Sequence, residues 1–182
     1  MKTIVTPLLR HSLAVVATAV LLAGCADEAP LGADRLSDGS LEIAGASSAR
    51  EAAVLATLRS ATARYHNVDA AIADGFILLS ECEVRPEGAA GLLYANLDRV
   101  DGVINPEEPE GLLYEPTPNG RLRLVAVDLA VPYALWTDPA PPEFLGHTFQ
   151  TEDEFGAWAL HIWIWRHNPA GMFAPANPNV TC

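Results

Sequence analysis

The sequence predicts an α+β fold, with N-terminal helices packed on a mostly antiparallel sheet of about four to six strands. Three observations predict it. A run at helical spacing (Val54, Leu55, Leu58, Ala61 and Tyr65) follows Ser48-Ala49-Arg50-Glu51, which has the form of a capping box. An Asn119-Gly120 turn signal opens a stretch, Arg121 to Val131, that begins in strict alternation of arginine and leucine. Trp158 to Trp165 is apolar on both faces when read with a period of two, which suits a strand covered on both sides.

Taken in order, the spacing predicts a helix over 49–65. Asn67 caps a shorter helix that runs to Asp74, and Gly75 ends it. Phe76-Ile77-Leu78-Leu79 is a short apolar run, read as a strand leading to Cys82, and residues 83–90, with Pro86 and Gly88, read as a loop. Leu92-Leu93-Tyr94 and Leu112-Leu113-Tyr114 predict short strands. Each belongs to a Gly-Leu-Leu-Tyr string, at Gly91 and Gly111; no wider repeat surrounds them, so the match reads as coincidence. Asp98 to Glu110 is acidic and turn-rich. It lacks EF-hand spacing and reads as a solvated loop in preference to a calcium site. The alternating strand closes at Pro132. Asp128 interrupts its apolar stretch, so it lies near the strand's exposed end or is bonded to something. Residues 136–153, with Pro139, Pro141, Pro142 and Gly146, read as one long loop. In the last strand Trp158, Leu160, Ile162 and Ile164 share one face, and Ala159, His161, Trp163 and Trp165 the other. An extended tail with Pro169, Gly171, Pro175 and Pro178 runs to Cys182.

The N-terminus implies an address. Lys2 and Arg10 flank or precede an apolar run from Leu13 to Ala23, and no acidic residue occurs before Asp27. The run is shorter than the roughly 20 residues a bilayer span needs, and it has the layout of an export signal. Its end, Leu22-Ala23-Gly24-Cys25, resembles the bacterial lipobox, in which cleavage precedes the cysteine and its sulfur takes a diacylglycerol. The expectation is a lipoprotein signal peptide over 1–24, a lipidated Cys25 with a flexible tether over 25–47, and a single globular domain over 48–182. Acyl chains such as palmitate contribute about 0.8 kcal/mol per buried methylene, so two or more make a stable anchor. The expected partner is therefore the membrane, through lipid on Cys25. The expected location is the cell envelope, on the periplasmic side or at the outer membrane. Ala26 stands where an aspartate would favour inner-membrane retention, which leans the protein toward the outer membrane.

Removing residues 1–24 from 182 leaves 158, enough for one domain with an adequate core. Lys2 and Arg10 go with that segment. Nine of the 11 basic residues then remain, all arginine, against 23 acidic ones, a charge of −14. Such a field repels phosphate backbones, which excludes nucleic acid as a partner. With Cys25 lipidated, Cys82 and Cys182 remain in an oxidising compartment, and an even count there reads as one disulfide. Two free thiols or a metal pair are the alternatives, though no CxxC spacing supports zinc. A disulfide would pin the last residue and close a long loop, worth on the order of 4–5 kcal/mol in the chain-entropy model.

Candidate site residues are few. His161 sits mid-strand among tryptophans, where a histidine bonded to Asp128 or Tyr94 would serve as ligand or general base. The competing reading is a satisfied core histidine among Trp163 and Trp165. His167 follows the strand at a loop, and His66 lies between two helices, where it reads as a cap. Gly-x-Ser-x-Gly, His-Glu-x-x-His and P-loop motifs do not occur, and no cofactor is expected.

Several blocks carry a family resemblance: Tyr65-His-Asn-Val-Asp-Ala-Ala-Ile-Ala-Asp-Gly75, Leu112-Leu-Tyr-Glu-Pro116, Leu124-Val-Ala-Val127, and above all Leu160-His-Ile-Trp-Ile-Trp-Arg-His-Asn-Pro-Ala-Gly-Met-Phe-Ala-Pro175 with Asn177-Pro-Asn-Val-Thr-Cys182. Over Tyr65 to Cys182 the chain resembles a family of uncharacterised bacterial exported proteins. The resemblance implies a fold unit and a Cys82–Cys182 pair, and no particular activity. Members often carry one histidine just before the tyrosine matching Tyr94 and another four residues before the one matching His161. Three imidazoles there would make a metal site. Here those positions are Leu93 and Ala157, so only His161 remains and no metal is expected. The functional expectation is an envelope lipoprotein with a non-catalytic binding or structural domain. The alternative is a periplasmic metal-dependent or acid/base enzyme centred on His161.

Overall fold

The computed structural model describes residues 35–182, apart from the side chains of residues 35–46 and of Glu83. The expected signal peptide, Cys25 and Ala26 lie outside the described residues. Helix α1 spans Arg35–Thr62, so it begins far ahead of residue 49. Ser48 therefore lies inside the helix and not at its N-terminus, and residues 35–47, expected as a tether, are helical. A 3-10 turn, Ala63–His66, follows. The Asn67 side chain then accepts from the Asp69 amide at 3.2 Å and caps α2, Val68–Ala73, as its residue type predicts. Among the described residues no helix is long and apolar enough to cross a membrane.

The expected mostly antiparallel sheet is present, with six strands. They are β1 (Ile77–Arg85), β2 (Gly88–Ala95), β3 (Gly111–Pro116), β4 (Leu122–Pro132), β7 (Gln150–Glu152) and β8 (Ala157–Ile162). Their order is β1-β2-β3-β4-β8-β7, and every neighbouring pair is antiparallel. A separate two-stranded hairpin joins β5 (Glu143–Phe144) to β6 (His147–Thr148). Three expectations are corrected. Residues 83–90 are not a loop: β1 runs to Arg85, and the chain reverses at Pro86-Glu87 directly into β2. Residues 136–153 hold β5, β6 and β7. The last strand stops at Ile162, because beyond it the Trp163 amide donates to the Met172 carbonyl instead of to a ladder partner.

The two Gly-Leu-Leu-Tyr strings turn out to pair with each other. Leu93 lies opposite Leu113, with Leu92 opposite Tyr114 and Tyr94 opposite Leu112. In both strings the outer two residues face the helix-side core and the middle leucine the other side.

Two cores flank the sheet. On one side Leu112, Tyr114, Val127, Leu129, Leu160 and Ile162 join a buried cluster with Leu55 and Leu58 of α1, Tyr65 and Phe76. A polar seam runs beside it. The Tyr114 hydroxyl donates to the Tyr65 carbonyl at 2.7 Å, the Tyr65 hydroxyl donates to Asp74 at 2.9 Å, and Arg99 donates to the Tyr65 hydroxyl at 3.2 Å. On the other side a smaller cluster of Ala89, Leu113, Ala126, Trp163 and Val180 is built by the C-terminal tail folding over the sheet. The Cys82–Cys182 disulfide closes that arrangement, as the resemblance implied. Ala89 exchanges both backbone hydrogen bonds with Asn177. Gly88 (φ +135°) allows this approach, since a Cβ there would collide with the Asn177 backbone.

Candidate ligand cavity

The tail covers only part of the second sheet face. The remainder borders a cavity of about 300 Å³, within the size range of small-molecule sites. Its residues reach it through a fault in β4. Leu113 pairs with Ala126 but Tyr114 pairs with Leu124, so Val125 is an extra residue. Before the bulge the even positions Leu122 and Leu124 pack in the helix-side core. After it the odd positions Val127, Leu129 and Val131 do. Asp128 shares the parity of Leu124, and unbroken alternation would drive it into the helix-side core. The bulge turns it to the opposite face, where it lines the cavity with Ala130 and, from β8, His161.

Asp128 is 4% exposed, and its Oδ1 has no hydrogen-bond partner. Its register partner on β3 is Gly111 and on β8 is His161. A Cβ on residue 111 would stand 2.8 Å from the Asp128 Cβ and 3.2 Å from its Oδ2, so glycine opposite is what gives the carboxyl room. The His161 Nε2 lies 3.8 Å from Asp128 Oδ1, too far for a hydrogen bond. His161 Nδ1 is 2.8 Å from the Pro175 carbonyl oxygen. A carbonyl only accepts, so Nδ1 carries a proton and Nε2 is the nitrogen turned toward Asp128. The tail thereby sets the tautomer of the cavity's histidine.

Glu110, immediately before β3, is the second buried carboxyl that lines the cavity, at 3% exposure. Its Oε2 accepts from the Ala130 amide at 3.0 Å. Burial pushes Glu110 up to about 8, the Ala130 hydrogen bond opposing. Burial likewise pushes Asp128 up to about 8, with the negative charge of Glu152 adding to it. Both groups therefore hold their protons through most of the neutral range. Toward the mouth stand Glu81, Glu152 and Glu154, and Arg85 pairs with Glu152 at 3.9 Å. The walls are apolar or small: Leu93, Leu113, Ala157 and Ala159 line them. Such a cavity accommodates a hydrocarbon body and presents carboxyl oxygens to one polar end.

Of the residues singled out from sequence, His161 and Asp128 meet here, and the others do not. Tyr94 lies on the opposite sheet face, its ring 5.2 Å from that of Tyr114. Trp163 is 6.3 Å from the His161 ring, but its indole N–H donates to the Ala174 carbonyl at 2.6 Å and it belongs to the tail's cluster. Trp165 leaves the face that parity assigned to it, because the strand ends at Ile162. It packs on the helix side, with Nε1 donating to Thr62 at 3.2 Å and its ring 4.4 Å from His66. His167 is exposed, and its carbonyl accepts from Asn177 at 3.2 Å. Leu93 and Ala157, the positions where the resemblance implied imidazoles, both line this cavity beside His161. Among the described residues no group of three or more His, Cys, Asp or Glu side chains could hold a metal ion.

Sequence reasoning missed Glu110. The Asp98–Glu110 segment was expected to be solvated, yet its last acid is buried. The available signal was its place directly against the apolar run Gly111-Leu112-Leu113, where a carboxylate has no route to solvent once the strand joins a sheet. No family model, no curated protein and no solved structure matches the chain.

Proposed function

We propose that this chain is an exported envelope lipoprotein, anchored by lipid on Cys25, whose globular part binds a small molecule with an apolar body in the cavity beside Asp128 and His161. The observation that carries the binding reading is the cavity itself. It is bordered by six strands and contains a buried carboxyl oxygen with no hydrogen-bond partner. An unpaired buried acceptor costs roughly 1–3 kcal/mol, a cost that a ligand donor would offset. Support for the anchor is the Leu22-Ala23-Gly24-Cys25 string after a basic and then apolar stretch. In this reading the helices close the sheet face away from the cavity, leaving the other face for the ligand.

The second reading, an acid/base enzyme centred on His161, draws on the placement of that histidine at the cavity wall. It stands behind binding because the 3.8 Å gap leaves the His161–Asp128 pair without the hydrogen bond that fixes a general base. Two experiments test the proposal. Radiolabelled palmitate should label the full chain in a bacterium that processes lipoproteins, and Cys25→Ser should abolish the label; equal labelling of both would refute the anchor. Cyclohexylmethanol, titrated by calorimetry, should bind the folded protein and fail to bind Ala130→Phe, which fills the cavity. Equal binding by a variant that still melts cooperatively would place the ligand elsewhere.

A further inference from the structure

We infer that the cavity's ligand is an organic cation: a small primary or secondary amine with an apolar body, its ammonium group seated on Asp128 Oδ1 inside the cavity. This rests on the binding reading above and names the ligand's chemical class. The argument starts from Asp128. Its side chain is more than nine-tenths buried, its Oδ1 lacks a hydrogen-bond partner, and it borders the cavity. Keeping a carboxylic acid in an apolar sheet face is unfavourable. Two features nonetheless make space for it, the Val125 bulge that turns it inward and Gly111 opposite. A donor that also carries positive charge satisfies that oxygen best, because charge-assisted hydrogen bonds are roughly twice as strong as neutral ones.

The surroundings favour a cation over an anion or a neutral donor. The charged or titratable groups that line the cavity with this carboxyl are Glu110 ahead of β3, His161 on β8, Glu152 on β7, and Arg85 on β1, the last paired with Glu152. Glu81 and Glu154 add negative charge at the mouth. A concave, low-dielectric site whose ionised lining groups, Glu81, Glu152 and Glu154 against Arg85, carry net negative charge concentrates cations and repels carboxylate or phosphate ligands. A bare metal ion fits poorly, since no described cluster supplies three ligating side chains and the walls are Leu93, Leu113, Ala157 and Ala159. Those walls suit the hydrocarbon part of an amine.

Proton balance follows from the chemistry. An ammonium ion that displaces the Asp128 carboxyl proton enters as a cation, and one proton leaves to solvent. Binding therefore couples to proton release around neutral pH, where burial keeps Asp128 protonated in the empty cavity.

The test compares cyclohexylmethylamine with cyclohexylmethanol, which has the same body and no charge. Both are titrated calorimetrically into the full chain with its disulfide intact, at pH 7.5, in two buffers of different ionisation enthalpy. The amine should bind at least tenfold more tightly than the alcohol, with a buffer-dependent heat that reports proton release. Asp128→Asn should weaken the amine at least tenfold and leave the alcohol within about twofold. Equal affinities for the two probes, or an Asp128→Asn variant that still prefers the amine, would overturn the inference and leave a plain apolar cavity. Loss of the amine preference in Glu110→Gln alone would move the ammonium to Glu110 and overturn the assignment to Asp128. Binding of neither probe would remove the binding reading and this one with it.

Discussion

Replacing Asp128 by asparagine keeps the shape of the protonated side chain and removes its ability to ionise, which isolates one term in the pH dependence of stability. In the unfolded chain an aspartate titrates near 3.9. Folded, Asp128 titrates at about 8 because burial disfavours its charge. A group whose folded value is raised contributes stability that is fully present below the unfolded value and is lost as pH rises through the folded one. Between about pH 5 and pH 7 the native state holds a proton that the unfolded state has released. Stability then falls by about 1.4 kcal/mol per pH unit on account of this group alone. Over those two units the loss is about 3 kcal/mol. At roughly 2–4 °C per kcal/mol for a chain of this size, it amounts to about 6–12 °C in Tm. The wild-type Tm should therefore drop between pH 5 and pH 7 by that much more than the Tm of Asp128→Asn; the other carboxyls, Glu110 included, act in both proteins and cancel to first order. Differential scanning calorimetry at the two pH values makes the comparison. Parallel pH profiles for the two proteins would refute the reasoning, since they would mean that Asp128 is ionised in the folded state from the start.

Other perturbations probe the scaffold. Gly111→Ala places a methyl 2.8 Å from the Asp128 Cβ and 3.0 Å from a Leu93 methyl, so urea unfolding should show a loss of about 1–3 kcal/mol from overpacking. Alcohol binding should fall with it. Cys82→Ser combined with Cys182→Ser opens a loop spanning 100 residues. It should lower stability by about 4–5 kcal/mol in the same assay, and amide exchange should rise in the tail segment that holds the His161 ring. Tyr114→Phe removes the buried hydroxyl that donates to the Tyr65 carbonyl at 2.7 Å. It should cost about 1–2 kcal/mol without changing the affinity for either probe, because it acts on the far sheet face.

Local rules, each acting within a few residues, were legible from the start. The Asn67 cap, the Gly75 stop, the strand that closes at Pro132 and the apolar faces of Trp158 to Ile162 all depend on spacing and turn chemistry. The cysteine pair was readable by counting. The boundaries failed where long-range partners set them. Arg85 and Gly88 are strand residues because their partners lie across a hairpin, and Trp165 leaves its face because Met172 captures the Trp163 amide. The site was half legible: His161 and Asp128 stood out as polar interruptions in apolar strands, whereas Glu110 was hidden at the end of an acidic loop.

The sequence by itself determined the α+β class and the residues that would oppose one another across a pleat. An alternation of two residues fixes relative facing within a strand, and the anomalies in it can be read by eye. It could not determine which face becomes the cavity. That depended on a single extra residue, Val125, which shifts the phase of β4 and reverses Asp128. It also depended on how far the tail from Trp163 to Cys182 reaches across the sheet. Both are set by pairing between segments distant in the chain, so only the tertiary structure brings Glu110, Asp128 and His161 to one wall.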